Sequence, residues 1–214
     1  MSALNRRTFL GGLLLPPCGA QGAVGTPAVL KPPARVRNLP GLARFRAGLA
    51  AVAAARNPAG LRALLAPDVK SSFGGDDTVA EFERRWRTQD RSSPVWSVLD
   101  RIERLGGVAE GSARYTAPYV HANWPDAFDP FEHVLAVGPR AVMRAKPSFS
   151  SVALRGVTHR ILRLESAAPG GWTRVRDGAR SGWLQTSRTW SPVGPRLIAE
   201  RRGRWLITAL VEGD

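Results

Sequence analysis

The sequence is poor in cysteine and lysine: it has one cysteine, Cys18, and its lysines are confined to Lys31, Lys70 and Lys146. A single cysteine near the start excludes an internal disulfide, and its removal with a leader would exclude a cysteine nucleophile or thiolate metal site. Long apolar runs are also missing. No stretch reaches the roughly 20 apolar residues that a membrane-spanning helix needs.

Acidic residues are scarce in one part of the chain. The 214 residues carry a net charge of +14. Residues 38–130 hold twelve basic and eleven acidic residues, whereas residues 131–214 hold fourteen and six, so the last part alone carries +8. Concentrated positive charge attracts polyanions, which predicts an anionic partner for this half.

The first residues, MSALNRRTFLGGLLLPPCGAQGA, combine a basic start, a short apolar middle and a small-residue end, which is the pattern of an export signal. Within them, NRRTFLG resembles the twin-arginine (Tat) motif, matched at Arg6, Arg7, Phe9 and Leu10. The glycine-containing, weakly apolar middle fits the same route. The resemblance implies that residues 1–22 are a Tat signal peptide and that the mature protein works in the periplasm.

Some features of this leader stay open. An ordinary secretion signal is the alternative, and cleavage after Ala20 or Gly22 fits the small residues equally well. Pro17 stands where a lipoprotein signal wants a small residue before Cys18, so we do not expect lipidation. Outside the cytoplasm the anionic partners are envelope polymers or cell-wall peptides, and not nucleic acid.

The next part of the chain is predicted to be a linker followed by a mainly helical domain. Residues 23–40 are rich in proline and lack periodicity, which favours a flexible linker. Residues 41–130 contain apolar stripes at helical spacing. Asn57, Thr78 and Ser93 are suited to cap three of the helices.

After residue 131 the pattern changes to short β segments with alternating residues. Several of these segments resemble bacterial SH3 domains, the small extracytoplasmic relatives of Src homology 3. The matching pieces are VMRAKP (142–147), Ser150 to Val152, GWTRV (171–175), the Asp177–Gly178 turn and GWL (182–184). The resemblance implies an SH3-like small β-barrel at residues 131–195 and an exported SH3 protein.

A weaker resemblance covers the flanks. Residues 45–75 resemble the helical start of the nuclear transport factor two-like class, and residues 203–214 its closing strand. We interpret these flanks as a helical cap and a C-terminal β-hairpin, residues 196–214, turning near Arg202 and Gly203. The predicted fold class is therefore α+β, with a helical N-terminal domain, an SH3-like barrel and a terminal hairpin.

Candidate ligand-binding residues follow from the SH3 resemblance and the basic half. Trp172 and Trp183 lie on neighbouring segments and are predicted to flank a shallow groove beside Arg144, Arg174 and Arg180. Such a groove suits a peptide or glycan-peptide with carboxylates. Both tryptophans can instead be core residues, in which case Trp183 is the more buried. The leading prediction is a non-enzymatic binding protein without a cofactor.

Two other functions remain open. The histidines His121, His133 and His159 have no metal-ligand spacing, and no phosphate loop or nucleophile elbow is present, so we expect no metal. His121 and His133 nevertheless share a segment with carboxylates, which allows a periplasmic enzyme that uses this segment. A structural subunit that docks a periplasmic protein is the third hypothesis.

Overall fold

A computed structural model describes residues 28–75, 77–168 and 170–213. Within these ranges the chain is a mixed α/β protein with five α-helices and two open β-sheets, which confirms the predicted mixture of helices and strands. The predicted signal peptide lies outside the described residues, and so do its motif residues and the cysteine: Arg6, Arg7, Phe9, Leu10 and Cys18.

The helices come mostly before residue 123 and the strands mostly after residue 107. The helices are α1 (Leu42–Ala55), α2 (Pro58–Leu64), α3 (Val79–Trp86), α4 (Pro94–Leu105) and α5 (Tyr119–Ala122), with a 3₁₀ turn at Thr186–Arg188. The strands are β1 (Leu65–Lys70), β2 (Val108–Glu110), β3 (Arg114–Ala117), β4 (His133–Ala136), β5 (Val142–Arg144), β6 (Ala153–Gly156), β7 (Ile161–Ala168), β8 (Trp172–Asp177), β9 (Arg180–Gln185), β10 (Thr189–Trp190), β11 (Arg196–Arg202) and β12 (Arg204–Val211).

The first sheet has five strands in the order β1-β12-β11-β3-β2. Strands β11 and β12 form the hairpin expected near Gly203, with Arg202 opposite Arg204. This hairpin is the centre of the sheet, because β12 also pairs in parallel with β1, and β11 pairs with β3. The region 41–130, predicted to be mainly helical, thus also supplies three strands of the sheet.

Helices α1 and α4 cover one face of the first sheet and form the larger of the two hydrophobic cores. Their apolar stripes point inward at the spacing seen in the sequence. Buried members from the helices are Leu42, Phe45, Leu49, Phe82, Val95, Leu99 and Ile102. Buried members from the sheet are Tyr115, Leu197, Trp205, Ile207 and Leu210.

The second sheet has seven strands in the order β10-β4-β7-β8-β9-β5-β6. The predicted closed barrel is not found in the described part of the chain, because the edge strands β10 and β6 pair only with β4 and β5. One physical reason lies in β10, which has only two residues. Its Trp190 is buried in the core of the first sheet, so this edge is held towards the helices and away from β6.

Strand β4 joins the two halves of the molecule. Successive residues of a strand point to opposite faces. Val134 and Ala136 lie in the smaller core of the second sheet, whereas Leu135 and Val137 lie in the larger core with Trp190. Strand β4 of the second sheet therefore contributes side chains to both cores, and neither core is complete without it.

The described part of the predicted linker is in contact with the body of the protein. Val29 forms an isolated antiparallel bridge with Arg160, and the amide of Leu30 donates to the carbonyl of His159 at 2.8 Å. Leu39 is buried in the larger core. The described part of this segment thus contacts the body of the protein at Val29, Leu30 and Leu39.

The helices that the structure describes were also compared with the length and hydropathy that a bilayer requires. None of them is long and apolar enough to cross a membrane.

Candidate functional site

A row of side chains crosses three strands on the outer face of the second sheet. Arg144 of β5 lies opposite Trp183 of β9, and Trp183 lies opposite Arg174 of β8. Residues directly opposite each other on neighbouring strands project to the same face. The structure therefore brings three of the predicted site residues together as arginine, tryptophan and arginine.

Trp172, at the start of β8, belongs to the same face as Arg174. Its indole packs edge-on against the ring of Phe149, with 5.3 Å between ring centroids. Trp172 is only 6% exposed, whereas Phe149 is 68% exposed. We call Arg144, Phe149, Trp172, Arg174 and Trp183 the aromatic–basic face.

The burial of Trp172 and Trp183 is the reverse of what the sequence predicts. Trp183 was expected to be the more buried of the two, yet Trp183 is half-buried and Trp172 is buried. The reason is the loop between β5 and β6, which places Phe149 over Trp172. Trp183 is left to present part of its ring to solvent beside the Arg174 guanidinium, whose carbon lies 5.9 Å from the ring centroid.

The basic groups of this face are held by short polar contacts. Arg144 Nη1 donates to the carbonyl of Ser151 at 2.7 Å, which fixes the guanidinium against the loop that carries Phe149. Arg174 Nε donates to Glu165 at 3.0 Å, and Arg176 Nε donates to the same carboxylate at 2.6 Å. The hydrogen bond from Arg176 first, and then that from Ser181, lowers the pKa of Glu165, and the charges of Arg176 and Arg174 lower it further.

Arg180 is separated from the face. It lies at the first position of β9, three residues from Trp183, so the alternation of the strand points it to the opposite side. Its neighbour on the opposite strand is Asp177. The Asp177 carboxylate is buried and forms ion pairs with Arg160 at 2.7 Å and Arg155 at 2.9 Å. Arg180 thus belongs to the end of the β8–β9 hairpin.

The second candidate site surrounds His121, at the end of α5. His121 and Arg196 line two adjoining pockets of about 370 and 350 Å³. The first pocket also contains Trp124, Asp126 and Asp129. Burial lowers the pKa of His121, and the positive charge of Arg196 lowers it further.

The other members of the predicted histidine segment do not complete a reactive arrangement with His121. His133 lies edge-on to Phe128, at 5.3 Å between centroids, and its Nδ1 is 3.0 Å from the carbonyl of Asp129. Glu132 pairs with Arg163 at 3.3 Å. Across residues 28–75, 77–168 and 170–213, no three His, Cys, Asp or Glu side chains come together as a metal site.

Two residues of the candidate sites escape sequence reasoning. Phe149 stands alone among serines in PSFSS, and an isolated aromatic residue in a polar loop is the one signal that points to it. Arg196 is buried at the start of β11 and donates to the carbonyl of Gly213 at 2.6 Å. Nothing in the spacing around Arg196 distinguishes it from the other arginines of the basic half.

Comparisons with protein-family models, with curated proteins and with solved structures give no match for this chain. Its function is therefore inferred from the side chains that the two candidate sites bring together.

Proposed function

We propose that the protein is a non-enzymatic binding protein of the cell envelope, and that its aromatic–basic face binds carboxylate-bearing peptides such as those of peptidoglycan. The observation that carries the proposal is the row of Arg144, Trp183 and Arg174 across three strands, flanked by the exposed ring of Phe149. An aromatic surface between two guanidinium groups suits a ligand with an apolar backbone and acidic groups.

The electrostatics of the second half support an anionic ligand. Residues 131–214 carry a net charge of +8. The positive field of this half attracts an approaching carboxylate before any single arginine contacts it. Glu165 is the acidic group on the face and is already bound by Arg174 and Arg176. The exposed edge of Phe149 adds apolar area next to the charges, which gives the ligand a fixed position.

The sequence supports the proposed fold family and location. The segments of residues 142–184 resemble bacterial SH3 domains, and we propose that the second sheet is an opened relative of that barrel. The Arg6–Arg7 pair and the residues after it resemble a Tat signal, so we propose that the protein reaches the periplasm, where peptidoglycan is accessible.

The binding proposal is tested with purified peptidoglycan sacculi at low salt. Wild-type protein should be retained, and Phe149→Ala should lower the affinity by about tenfold, the usual effect of truncating a central aromatic contact. Phe131→Ala is the matched control, because Phe131 is similarly exposed, at 60%, but lies outside the aromatic–basic face. Arg174→Gln should also weaken binding.

Two results would contradict the proposal. One is retention no better than that of a neutral protein of similar size. The other is an equal loss of binding in Phe149→Ala and Phe131→Ala. Salt separates the proposal from protein docking, because binding to a polyanion should fall steeply as salt screens the charges, while an apolar docking contact should persist.

The location is tested separately. Residues 1–22 fused to a fluorescent reporter should carry it to the periplasm in cells with an active Tat translocase. Replacing both Arg6 and Arg7 by lysine should leave the reporter in the cytosol. If the unaltered fusion stays cytosolic, the proposed location is wrong, and peptidoglycan is no longer the natural ligand.

The pocket around His121 favours a second candidate, an enzyme. His121 lines that pocket with a pKa that burial and the charge of Arg196 lower, and Arg196, Asp126 and Asp129 line the same pocket. A screen of hydrolase substrates tests this candidate, with His121→Ala as the variant that should lose turnover while keeping the fold. An inactive wild-type protein, or an active His121→Ala variant, would exclude it.

A further inference from the structure

A basic cleft lies at the far end of the first sheet, remote from both candidate sites. It has a volume of about 690 Å³, within the range of about 300–1,000 Å³ that small-molecule sites occupy. Its walls are the first turns of α1, the end of α2 and the tip of the β11–β12 hairpin. The residues that the argument uses are Arg44, Phe45, Gly48, Arg201, Arg204 and Trp205.

The floor of the cleft is apolar and rigid. Trp205 and Phe45 pack with 6.3 Å between ring centroids, and Leu64 lies beside them. The indole Nε1 of Trp205 donates to the carbonyl of Pro40 at 2.9 Å, so its polar atom is satisfied and its ring is held in place. Gly41 has φ 77°, and a Cβ at this position would lie 3.4 Å from Cδ1 of the same ring.

The rim of the cleft is cationic. Arg201 lies opposite Trp205 across the hairpin, so both side chains project to the face that α1 covers. Arg44 adds a second guanidinium from the first turn of α1, which contains no acidic residue, and Arg204, next to Trp205 in β12, also lines the cleft.

These three arginines differ from Arg202 nearby in their ion pairs with carboxylates. Arg202, at the same hairpin tip, binds Asp68 at 2.6 Å and Glu200 at 3.2 Å. Within the described part of the chain, no carboxylate pairs with Arg44, Arg201 or Arg204. A bound anion would give these guanidinium groups the kind of partner that Arg202 already has.

We propose that this cleft binds a small amphiphilic anion, with its apolar part on Trp205, Phe45 and Leu64 and its carboxylate or phosphate on Arg44, Arg201 and Arg204. Planar guanidinium groups suit either head group. The apolar floor adds a requirement that a free inorganic anion does not meet. The site goes beyond the proposed peptidoglycan-binding function and does not depend on it.

Gly48 offers a variant that fills the cleft without harming the fold. It lies in the middle of α1, lines the cleft, and has no atom within 4 Å of the position that a Cβ would take. Leucine is a better helix former than glycine, so Gly48→Leu should fold at least as well as the wild type while it occupies the space of the ligand.

The experiment is calorimetric titration of the mature protein with dodecanoate and dodecyl phosphate below their micelle concentrations. Binding of at least one of them is expected. Gly48→Leu should weaken it by at least about tenfold, and the double variant R201A/R204A by a similar factor, because the charge-assisted hydrogen bonds to the anion are lost. Arg85→Ala is the matched control. Arg85 is an exposed arginine on α3, outside the cleft, so its removal should leave the affinity for the amphiphile unchanged.

Several outcomes would overturn the proposal. They are no binding of either amphiphile, unchanged binding in Gly48→Leu, or equal affinity for uncharged dodecanol. Binding to anionic phospholipid vesicles that Gly48→Leu leaves intact would assign the arginines to a membrane surface and overturn the cleft site. Peptidoglycan retention by Gly48→Leu should match that of the wild type, so the failure of one proposal is distinguishable from the failure of the other.

Discussion

Gly182 is the residue at which the second sheet is packed most closely. A Cβ at this position would lie 2.6 Å from Met143 Cγ and 2.9 Å from the carbonyl oxygen of Arg144. Both neighbours are fixed, because Met143 is buried in the smaller core and Arg144 belongs to the adjoining strand. Only glycine lets β5 and β9 approach this closely next to the aromatic–basic face.

We therefore expect Gly182→Ala to destabilise the protein by about 1–3 kcal/mol, the usual cost of overpacking a core. Gly156→Ala is the matched control, because Gly156 lies on a strand of the same sheet with nothing within 4 Å of its Cβ position. Urea denaturation of both variants measures the difference. Equal stability of the two variants would contradict the close packing at Gly182.

His121 should make the stability depend on pH. Its pKa is lowered below the model-compound value of 6.5, first by burial and then by the charge of Arg196. Below that value the unfolded chain takes up a proton more readily than the folded one, so the free energy of unfolding should decrease as the pH falls through this range.

The measurement is urea denaturation at about pH 7.5 and about pH 5.5. His121→Gln should lose less stability between the two values than the wild type does. Part of the loss should remain in the variant, because burial also lowers the pKa of His159. An identical pH dependence in wild type and variant would contradict the role assigned to His121.

At the scale of the elements, Arg101 ties helix α4 to the segment that ends the second sheet. Its Nη2 donates to the carbonyls of Ser187, at 3.0 Å, and Thr189. The guanidinium carbon lies 4.8 Å from the Trp190 ring centroid. Burial lowers the pKa of Arg101, which shows that the charge is partly removed from water in exchange for these contacts.

Arg101→Ala should cost on the order of 2 kcal/mol, because hydrogen bonds to a charged group are lost and carbonyls are left unpaired. Lysine should not restore the loss, since an ammonium lacks the planar fork and the stacking surface. Arg104→Ala is the control: Arg104 lies on the same helix in an exposed pair with Asp100, which is worth little. Thermal denaturation measures the stability of both alanine variants. Equal melting temperatures would contradict the role of Arg101 in holding α4 to the end of the second sheet.

The sequence predicts individual elements well where their signals are local. Thr78 caps α3 by accepting from the amide of Glu81 at 3.1 Å, as its spacing indicated. The Thr78–Glu81 spacing also predicts a capping box, in which Glu81 would accept from the Thr78 amide, but the Glu81 carboxylate binds Arg84 instead. The stretch NPAGLRALLAP (57–67) predicts a helix from the Asn57 cap to Pro67, but Leu65 and Ala66 begin β1, because pairing with β12 outweighs local helix propensity.

The candidate site was predictable in part for the same reason. Arg174 and Trp183 meet because β8 and β9 follow one another as a hairpin, which the alternating pattern reveals. Arg144 reaches Trp183 only through the pairing of β5 with β9, which three other strands separate along the chain. Phe149 and the cleft at Trp205 depend on a loop conformation and on a helix packed against a distant hairpin. No local pattern encodes such contacts, so the sequence alone could not place them.

At the scale of the whole molecule, the sharing of β4 between two cores predicts cooperative unfolding. Leu135 is fully buried in the larger core, although its strand belongs to the second sheet. Leu135→Ala should cost about 2–5 kcal/mol. Circular dichroism and tryptophan fluorescence should follow one transition in the wild type and in the variant. Two separate transitions would show that the sheets are independent units.

The place of the β11–β12 hairpin also bears on biosynthesis. Strands β1 and β3 leave the ribosome long before the residues 196–211 that lie between them in the finished sheet. Until those residues emerge, both strands expose edges that can pair with other chains. The nascent protein therefore spends most of its translation time without the middle of its first sheet, and a chaperone that shields strand edges would be most useful during that interval.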